Sequence, residues 1–391
     1  MARIDPDVFA LQEDLVFYRR KMHANPEASL KEFETSCMVK EELGKAEIPF
    51  MPVGETGLLG EIVGQYPGKT IFLRADMDAL ELEDLKNVPY ASKNAGLCHA
   101  CGHDAHTAAL LGAARILKAR SSKLHGRVKL CFQQAEEIGQ GAKQFVEAGH
   151  LDDVDLAFAM HTASYMPSGK VSVQPGPRYA SCDIFTIQVH GKSSHVGRPN
   201  EGADAALASA HILIALQNLA SRQTSPFDPL VIGIGKIEAG SRYNIVASKG
   251  HLEGTLRCYK EDLRQGHLQK IEEIAQSIAK IHGCSASFEN YPAADAVIND
   301  TKATSYAKKR VLERIGKENL MEIPMTMSAE DFADYGKKTR AVFINVGTGK
   351  NEKTTYPHHS NYFDLDEDQL VLMTQLHVDM AMHMDLFGKE E

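Results

Sequence analysis

The feature that most limits how this chain can fold is an alternation of short β-rich runs with longer helical patterns, in its first half and again at its end. Candidate strands are Thr70–Arg74, Arg127–Phe132, Leu156–Met160 and Ala341–Val346. Candidate helices are Pro6–Met22, Leu30–Leu43, Asp104–Ala119, Gly141–Ala148 and Asp366–Met384. Such alternation is typical of βα units, so the sequence predicts an α/β fold with a mainly parallel sheet and helices on both faces.

The middle of the chain has a different pattern, in the order β-α-β-β-α-β. Its candidate strands are Ser181–His190, Leu230–Ile237, Tyr243–Tyr259 and Ala286–Glu289. Its candidate helices are Ala203–Ala220 and Lys260–His282. This order predicts a ferredoxin-like α+β satellite domain at residues 179–292. It would be inserted into a larger domain made of residues 1–178 and 293–391, because 391 residues exceed one typical core.

Composition and charge exclude several classes of function. The net charge of −9 argues against a nucleic-acid partner, which would require a basic face. The first nine residues contain Asp5 and Asp7 and lack the apolar run of a signal peptide, and we find no apolar stretch long enough to span a bilayer. The 7 scattered cysteines favour reduced thiols over a disulfide framework. We therefore expect a cytoplasmic protein with no nucleic-acid or membrane partner.

Residues that can bind metal follow three of the predicted strands. Asp76 and Asp78 come after the first strand, Glu136 and Glu137 after the second, and His161 after the third. Ligands of open α/β sheets bind in the crevice beyond the carboxyl ends of the strands. The sequence therefore predicts that acids and an imidazole converge at one edge of the sheet.

The stretch from His99 to His106 adds three histidines, a cysteine and an aspartate just before a predicted helix. Cys101 and His103, separated by Gly102, can direct their ligand atoms to one centre. Thiolate, imidazole and carboxylate together suit zinc and neighbouring metals. The alternative is a polar loop that only caps the helix.

The other candidates each have a structural alternative. Glu136 and Glu137 could simply complement a helix dipole, but beside the other ligands one can bind metal while its neighbour is a general base. His358-His359 could be solvated loop residues. In the satellite, Ser193-Ser194-His195 could be a surface turn, and Arg257, on a strand like Asn244, could face solvent.

These residues fall in motifs that resemble the M20 metallopeptidase clan. The likeness is to its amidohydrolase branch, which includes hippurate hydrolases, N-acetyl-amino-acid deacetylases and plant auxin-conjugate hydrolases. It rests on Arg20-Lys-Met-His-Ala-Asn-Pro-Glu27, Leu73-Arg-Ala-Asp-Met-Asp-Ala-Leu80, His99-Ala-Cys-Gly-His-Asp-Ala-His-Thr107, Phe132-Gln-Gln-Ala-Glu-Glu137, Gly191-Lys-Ser-Ser-His195, Gly254-Thr-Leu-Arg257, Ser328-Ala-Glu-Asp-Phe332 and His359-Ser.

The resemblance implies a metal-dependent amidohydrolase that cleaves N-acyl amino acids or similar amides by attack of a hydroxide bridging two divalent metals. Manganese or zinc is expected, with cobalt or nickel as alternatives. The implied metal ligands are Cys101, His103, Glu137, His161 and His359.

The resemblance also implies roles for the remaining site residues. Glu136 would be the general base, and Asp78 would orient the metal site. His195 would steady the oxyanion, from its own or a partner subunit, while Asn244 and Arg257 would hold a substrate carboxylate. The satellite would be a lid and the interface of a homodimer.

Three other functions remain open from the sequence. One is a hydrolase that uses Cys101 as nucleophile beside His103 or His106. Another is a binding protein without catalysis on the same fold. Within the family, the alternative is a peptidase acting on dipeptides.

Overall fold

The computed structural model describes residues 2–389, which form two compact units. The first unit comprises Met1–Arg178, Ile298–Pro324 and Asp331–Glu391. The second comprises Tyr179–Val297 and Met325–Glu330. The short segment Met325–Glu330, which the predicted range 179–292 does not include, belongs to the second unit.

The elements are as follows. The strands are β1 Phe50–Val53, β2 Gly57–Val63, β3 Tyr66–Asp76, β4 His125–Gln133, β5 Leu156–Pro167, β6 Val171–Ser172, β7 Gly176–Tyr179, β8 Cys182–His190, β9 Leu230–Ala239, β10 Lys249–Cys258, β11 Ser285–Ala294, β12 Val297–Asn299 and β13 Arg340–Gly349. The α-helices are α1 Pro6–Phe9, α2 Gln12–His23, α3 Phe33–Lys45, α4 His103–Ala119, α5 Gly141–Glu147, α6 Ala205–Asn218, α7 Glu261–Ile281, α8 Thr301–Ile315, α9 Ala333–Gly336 and α10 Leu370–Met382.

The first unit is built on one sheet of strand order β1-β2-β4-β3-β5-β13-β6. The four central strands, β4, β3, β5 and β13, run parallel, so their carboxyl ends lie at the same edge. Their apolar runs, such as Ile71–Leu73 in β3, are fully buried, as expected for parallel strands covered on both faces. The predicted mainly parallel α/β fold is confirmed.

Helix α4 packs closely in the first unit, and its buried positions include several small residues. It contacts β3 on one side and α2 and α10 on the other. Ala109 and Ala113 are fully buried, and a Cβ added at Gly112 would lie 2.6 Å from Leu15 Cδ2. This close packing fixes the amino end of α4, where His103 is the first helical residue.

The second unit is a four-stranded antiparallel sheet of order β11-β8-β10-β9. Its elements follow one another as β8-α6-β9-β10-α7-β11, which is the predicted ferredoxin-like order. The apolar positions of β8 and of helices α6 and α7 form its core, with Phe185, Ile212 and Ile271 fully buried.

Several predicted boundaries were wrong. Strand β10 begins at Lys249, so Asn244 lies in the preceding loop and not on a strand; residues near it pair instead with the His195 loop through a His195–Ile245 bridge. Strand β5 continues to Pro167 because β13 pairs along its whole length, so His161 lies within a strand. The predicted helix at residues 6–22 is two helices, α1 and α2.

Within residues 2–389, we find no helix with the length and apolar character needed to cross a bilayer.

A buried ion pair ties α7 to β8 in the second unit. Arg264 donates from Nε and Nη2 to the two carboxylate oxygens of Asp183, at 2.6 and 3.0 Å, and both side chains are buried. We expect Arg264→Met to lower the free energy of unfolding by about 3–5 kcal/mol, because it removes the main counter-ion of a buried carboxylate. Equilibrium urea denaturation measures this change.

Arg198→Met is the matched control, since Arg198 forms a wholly exposed pair with Glu201 at 3.8 Å. That change should cost less than about 1 kcal/mol. Equal losses in the two variants would contradict the role given to the buried pair.

Candidate metal centre

The candidate ligands lie at the carboxyl edge of the central sheet, within the first unit. Glu137 follows the end of β4, and His161 lies in β5. Cys101 and His103 bracket the start of α4. His359 follows β13 in a loop whose backbone N–H donates to the Ala100 carbonyl at 2.8 Å. Four separate segments of chain thus deliver donors to one place.

The structure brings all five predicted ligands together. Cys101 Sγ lies 3.4 Å from His161 Nε2, and His103 Nε2 lies 3.8 Å from Glu137 Oε1. His359 Nε2 is 3.6 Å from Glu137 Oε2. The donor atoms also form groups in which every atom lies within 4.8 Å of the others. One such group is Cys101, His103 and His161, and another is Cys101, Glu137 and His359.

Two buried atoms of this cluster test whether metal fits. His103 Nε2 and Glu137 Oε1 are buried, and neither makes a hydrogen bond to any other residue in the range 2–389. Buried polar atoms are nearly always paired, so a cation between them would satisfy both. The thiolate, imidazole and carboxylate donors suit zinc and its neighbours. The residues present therefore fit a metal centre.

Gly102 allows Cys101 and His103 to approach β5. Its φ is +90°, in the left-handed region, and an added Cβ would lie 2.4 Å from Thr162 Oγ1. Only glycine has both the backbone freedom and the small size that this position needs.

Burial and neighbouring charges shift the pKa values of the candidate ligands at this edge of the sheet. The pKa of Glu137 is raised to about 7, mainly by burial and also by the nearby Asp78 and Asp76 carboxylates, against the opposing effect of His103. Burial and then Glu137 raise the pKa of the Cys101 thiol. Burial lowers the pKa of His161, which favours the neutral imidazole that binds metals. Bound cations would offset the excess of negative charge.

Comparison with known proteins bears on this centre. The sequence profile of peptidase family M20/M25/M40 matches residues 72–383. This chain belongs to that family. It is 35% identical over 375 residues to N-acetylcysteine deacetylase of Bacillus subtilis, covering 95% of this chain and 97% of the relative. It is 38% identical over 390 residues to thermostable carboxypeptidase 2 of Saccharolobus solfataricus, covering 97% and 98%.

A solved structure supports the same family assignment. A dinuclear metal-binding M20 peptidase from Bacillus subtilis is 32% identical, covers 97% of this chain and 99% of its own, and superposes with a TM-score of 0.85. The predicted family is confirmed. The M20 chain described here is a metal-dependent hydrolase of amide C–N bonds, and the two-metal centre of that neighbour supports two divalent cations.

Asp78 contacts three residues of the candidate centre in this M20 chain. Its Oδ1 and Oδ2 accept the main-chain N–H groups of Glu136 and Glu137, at 3.1 and 3.0 Å. The Ser29 hydroxyl donates to Oδ2 at 2.7 Å. The main-chain carbonyl of Asp78 lies 2.9 Å from His103 Nδ1, which leaves Nε2 of that ring facing the cluster. Asp78 is therefore placed to orient two candidate ligands, His103 and Glu137, and the candidate base Glu136.

The satellite candidates all lie in the second unit. His195 is exposed and its Nδ1 accepts the Gly197 N–H at 3.0 Å, so the neutral ring carries its proton on Nε2 and can donate from there. Asn244 is adjacent, since its carbonyl accepts the Val196 N–H at 3.3 Å. Arg257 lies near the far end of β10 and donates to the Met327 carbonyl at 3.1 Å.

Strand β10 thus separates two sets of satellite candidates. The loop of His195 and Asn244 precedes the strand, and Arg257 is its penultimate residue. Ten residues of strand span roughly 30 Å. The structure brings His195 and Asn244 together but does not place Arg257 with them.

Sequence reasoning missed a buried network behind the centre. Arg19 of α2 is fully buried and donates to Asp104 at 2.9 Å and to Asp364 at 2.8 Å. His23, one turn later, contacts Asp104 at 2.6 Å. Asp104 is next to His103, so this network anchors the amino end of α4. An arginine and a histidine four residues apart on a predicted helix are the available signal, but that spacing does not name their partners.

We expect Asp78→Asn to weaken metal affinity about 10- to 100-fold, as do other changes that disturb the orientation of ligands. The asparagine amide cannot accept both main-chain N–H groups. Competition with a chromophoric chelator measures the affinity.

Asp155→Asn is the control. Asp155 Oδ2 also accepts a main-chain N–H, that of Thr70 at 2.8 Å, but this bond does not lie at the carboxyl edge of the sheet. The control variant should leave metal affinity unchanged. An Asp78→Asn protein that binds metal like the wild type would show that Asp78 does not orient the centre.

Proposed function

We propose that this M20-family chain hydrolyses the amide bond of N-acyl amino acids with two divalent cations held by Cys101, His103, Glu137, His161 and His359. The observation that carries the proposal is the convergence of these donors, distant in sequence, around buried atoms that lack a hydrogen-bonding partner within residues 2–389. Manganese or zinc fits the mixed sulfur, nitrogen and oxygen donors, and cobalt or nickel would also be accepted.

Glu136 is the proposed general base. Its main-chain N–H is fixed by Asp78, and its Oε2 lies 3.9 Å from His103 Nε2, at the margin of the cluster. The cations, when bound, would polarise the amide carbonyl and lower the pKa of the attacking water. Glu136 takes a proton from that water and then delivers it to the leaving nitrogen.

The satellite supplies the proposed substrate contacts. His195 donates from Nε2 to the oxyanion, with Asn244 beside it, and Arg257 pairs with the carboxylate of the amino acid. Because β10 keeps Arg257 roughly 30 Å from the His195 loop, one small substrate cannot touch both in the same copy. This separation supports a homodimer through the satellite, in which His195 serves the centre of the partner subunit. We propose a cytoplasmic location for this dimer.

A peptidase acting on dipeptides is the second candidate. The 38% identity to thermostable carboxypeptidase 2 favours it, since that relative's name describes a peptidase. A third candidate function is acyl transfer with Cys101 as the nucleophile. This chemistry needs a neighbouring base, and His161 Nε2 lies 3.4 Å from the Cys101 sulfur.

One panel distinguishes these functions. The metal-free protein is reconstituted with manganese, zinc, cobalt or nickel and assayed on N-acetyl and N-benzoyl amino acids and on dipeptides. Fastest turnover of N-acyl amino acids, abolished by a chelator, supports the proposal. Preference for dipeptides favours the peptidase. Activity that survives the chelator but not a thiol alkylator favours Cys101 as nucleophile. No turnover with any metal favours a binding protein.

We expect Glu136→Gln to lower kcat by about 10²–10⁴-fold, because the amide cannot accept the proton of the attacking water. Its metal content should stay at the wild-type value. Steady-state kinetics together with elemental analysis measure both.

Glu137→Gln is the matched control, since it removes a proposed ligand and should lower metal content. If Glu136→Gln loses metal in the same way, Glu136 belongs to the ligand set and is not the base.

We expect His195→Ala to lower kcat by about 10²–10³-fold with metal content unchanged, because an oxyanion donor is lost. His190→Ala, at an exposed histidine ending β8, is the control and should be fully active.

Mixing subunits tests the source of His195. Glu136→Gln and His195→Ala proteins, unfolded together and refolded, should regain activity, because mixed dimers contain one complete centre. No gain over the separate proteins would place His195 and Glu136 of the same copy in one centre.

A further inference from the structure

His106 lies in the middle of the candidate centre but is not one of the proposed ligands. Its ring centroid is 4.7 Å from that of His161 and 5.6 Å from that of His103, and it is buried. It forms, with Asp76 and His103, another group of donor atoms within 4.8 Å. By proximity alone it could bind a cation.

Both of its ring nitrogens are already used. Nε2 accepts the main-chain N–H of Thr162 at 3.0 Å, so Nδ1 carries the proton and donates to Asp76 Oδ1 at 2.6 Å. No lone pair remains for a metal. The ring therefore has a different function from that of His103, whose Nε2 faces the cluster and makes no hydrogen bond within residues 2–389.

The Asp76 carboxylate is itself held in place by Arg74. Arg74 Nη1 donates to Asp76 Oδ2 at 2.5 Å, and Arg74 Nη2 donates to Asp331 at 3.0 Å. Gln133 accepts from Arg74 Nε at 2.9 Å and donates to Asp331. These side chains are buried, so the carboxylate that receives the His106 proton has a fixed position.

On the other side, Thr162 connects His106 to a proposed ligand. The peptide N–H of Thr162 is bound by His106, and the Thr162 carbonyl accepts a hydrogen bond from His161 Nδ1 at 2.7 Å. That bond places the His161 proton on Nδ1 and leaves Nε2 free, 3.4 Å from Cys101 Sγ. Hydrogen bonds run from Arg74 through Asp76 and His106 to the Thr162 N–H, and the main chain of Thr162 links them to the bond between its carbonyl and His161.

We infer that His106 is a positioning residue for His161. Held by Asp76 and Arg74, it fixes the main chain of Thr162 at the N–H, and the carbonyl of the same residue then sets the tautomer and direction of the His161 ring toward its cation. The inference rests on His161 being a ligand, as proposed above. It assigns the two neighbouring aspartates to different parts of the centre, with Asp78 supporting His103 and Glu137, and Asp76 supporting His161.

The test compares metal binding in His106→Leu, His106→Gln and the wild type. Each protein is stripped of metal and titrated with zinc in competition with a chromophoric chelator, which gives the number and affinity of sites. His106→Leu removes both hydrogen bonds, so one of the two zinc ions should bind about 10- to 100-fold more weakly. His106→Gln should recover most of that loss, because its carboxamide can accept from Thr162 and donate to Asp76.

His377→Leu is the matched control. His377 is a buried histidine of α10 whose ring packs on Phe158 of β5 at 5.4 Å, and its nitrogens make no hydrogen bond within residues 2–389. The His377→Leu variant removes a buried imidazole beside strand β5 but leaves the hydrogen bonds between Asp76, His106, Thr162 and His161 intact. Its two zinc affinities should match the wild type.

Two zinc ions bound by His106→Leu with wild-type affinity would overturn the inference, as would an equal loss in His377→Leu or no recovery in His106→Gln. If His106→Leu does not fold, Asp76→Asn takes its place and should weaken the same zinc ion. A wild-type protein that binds none of zinc, manganese, cobalt and nickel would overturn the proposed function and the inference together. The inference alone fails if the wild type binds two ions and the variants do not differ from it.

Discussion

The compensation of buried negative charge at the carboxyl edge of the central sheet is the constraint on which the rest of this site depends. Asp76, Asp78 and Glu137 are brought there by strand ends, and each carboxylate removed from water needs a compensating partner. Arg74 and His106 compensate Asp76, and main-chain N–H groups compensate Asp78. Glu137 and Cys101 are left with too little positive charge. That remainder is what divalent cations would neutralise.

Much of the fold and of the site could be predicted from the sequence, because both depend on local patterns. The four central strands are continuous apolar runs such as Ile71–Leu73, and a run of that kind is read directly as a buried parallel strand. Donors placed just after such strands must meet at one edge. For this reason the order of residues along the chain is enough to predict that Asp76, Glu137 and His161 converge, whereas the full ligand set is implied by the resemblance to the M20 clan.

The parts that could not be predicted depend on partners far apart in the chain. Arg74 and Asp331 are 257 positions apart, and nothing local to either residue indicates the ion pair. The same holds for the segment Met325–Glu330, which belongs to the second unit although it follows the predicted satellite range. The sequence predicts a strand at Asn244 because the neighbours of that residue are apolar and β-branched. Those neighbours pair instead with the His195 loop.

His359 differs from the other proposed ligands in its surroundings. More than half of its side chain is open to solvent, whereas that of His103 is completely buried. Its backbone adopts a φ of +62°, which the bond of its N–H to Ala100 helps to hold. A cation bound through His359, as proposed, would therefore be the one that water and competing chelators reach first. Purified protein would be expected to lose that ion sooner than its neighbour, so a preparation with one metal per chain would be a natural intermediate of loading and not a damaged enzyme.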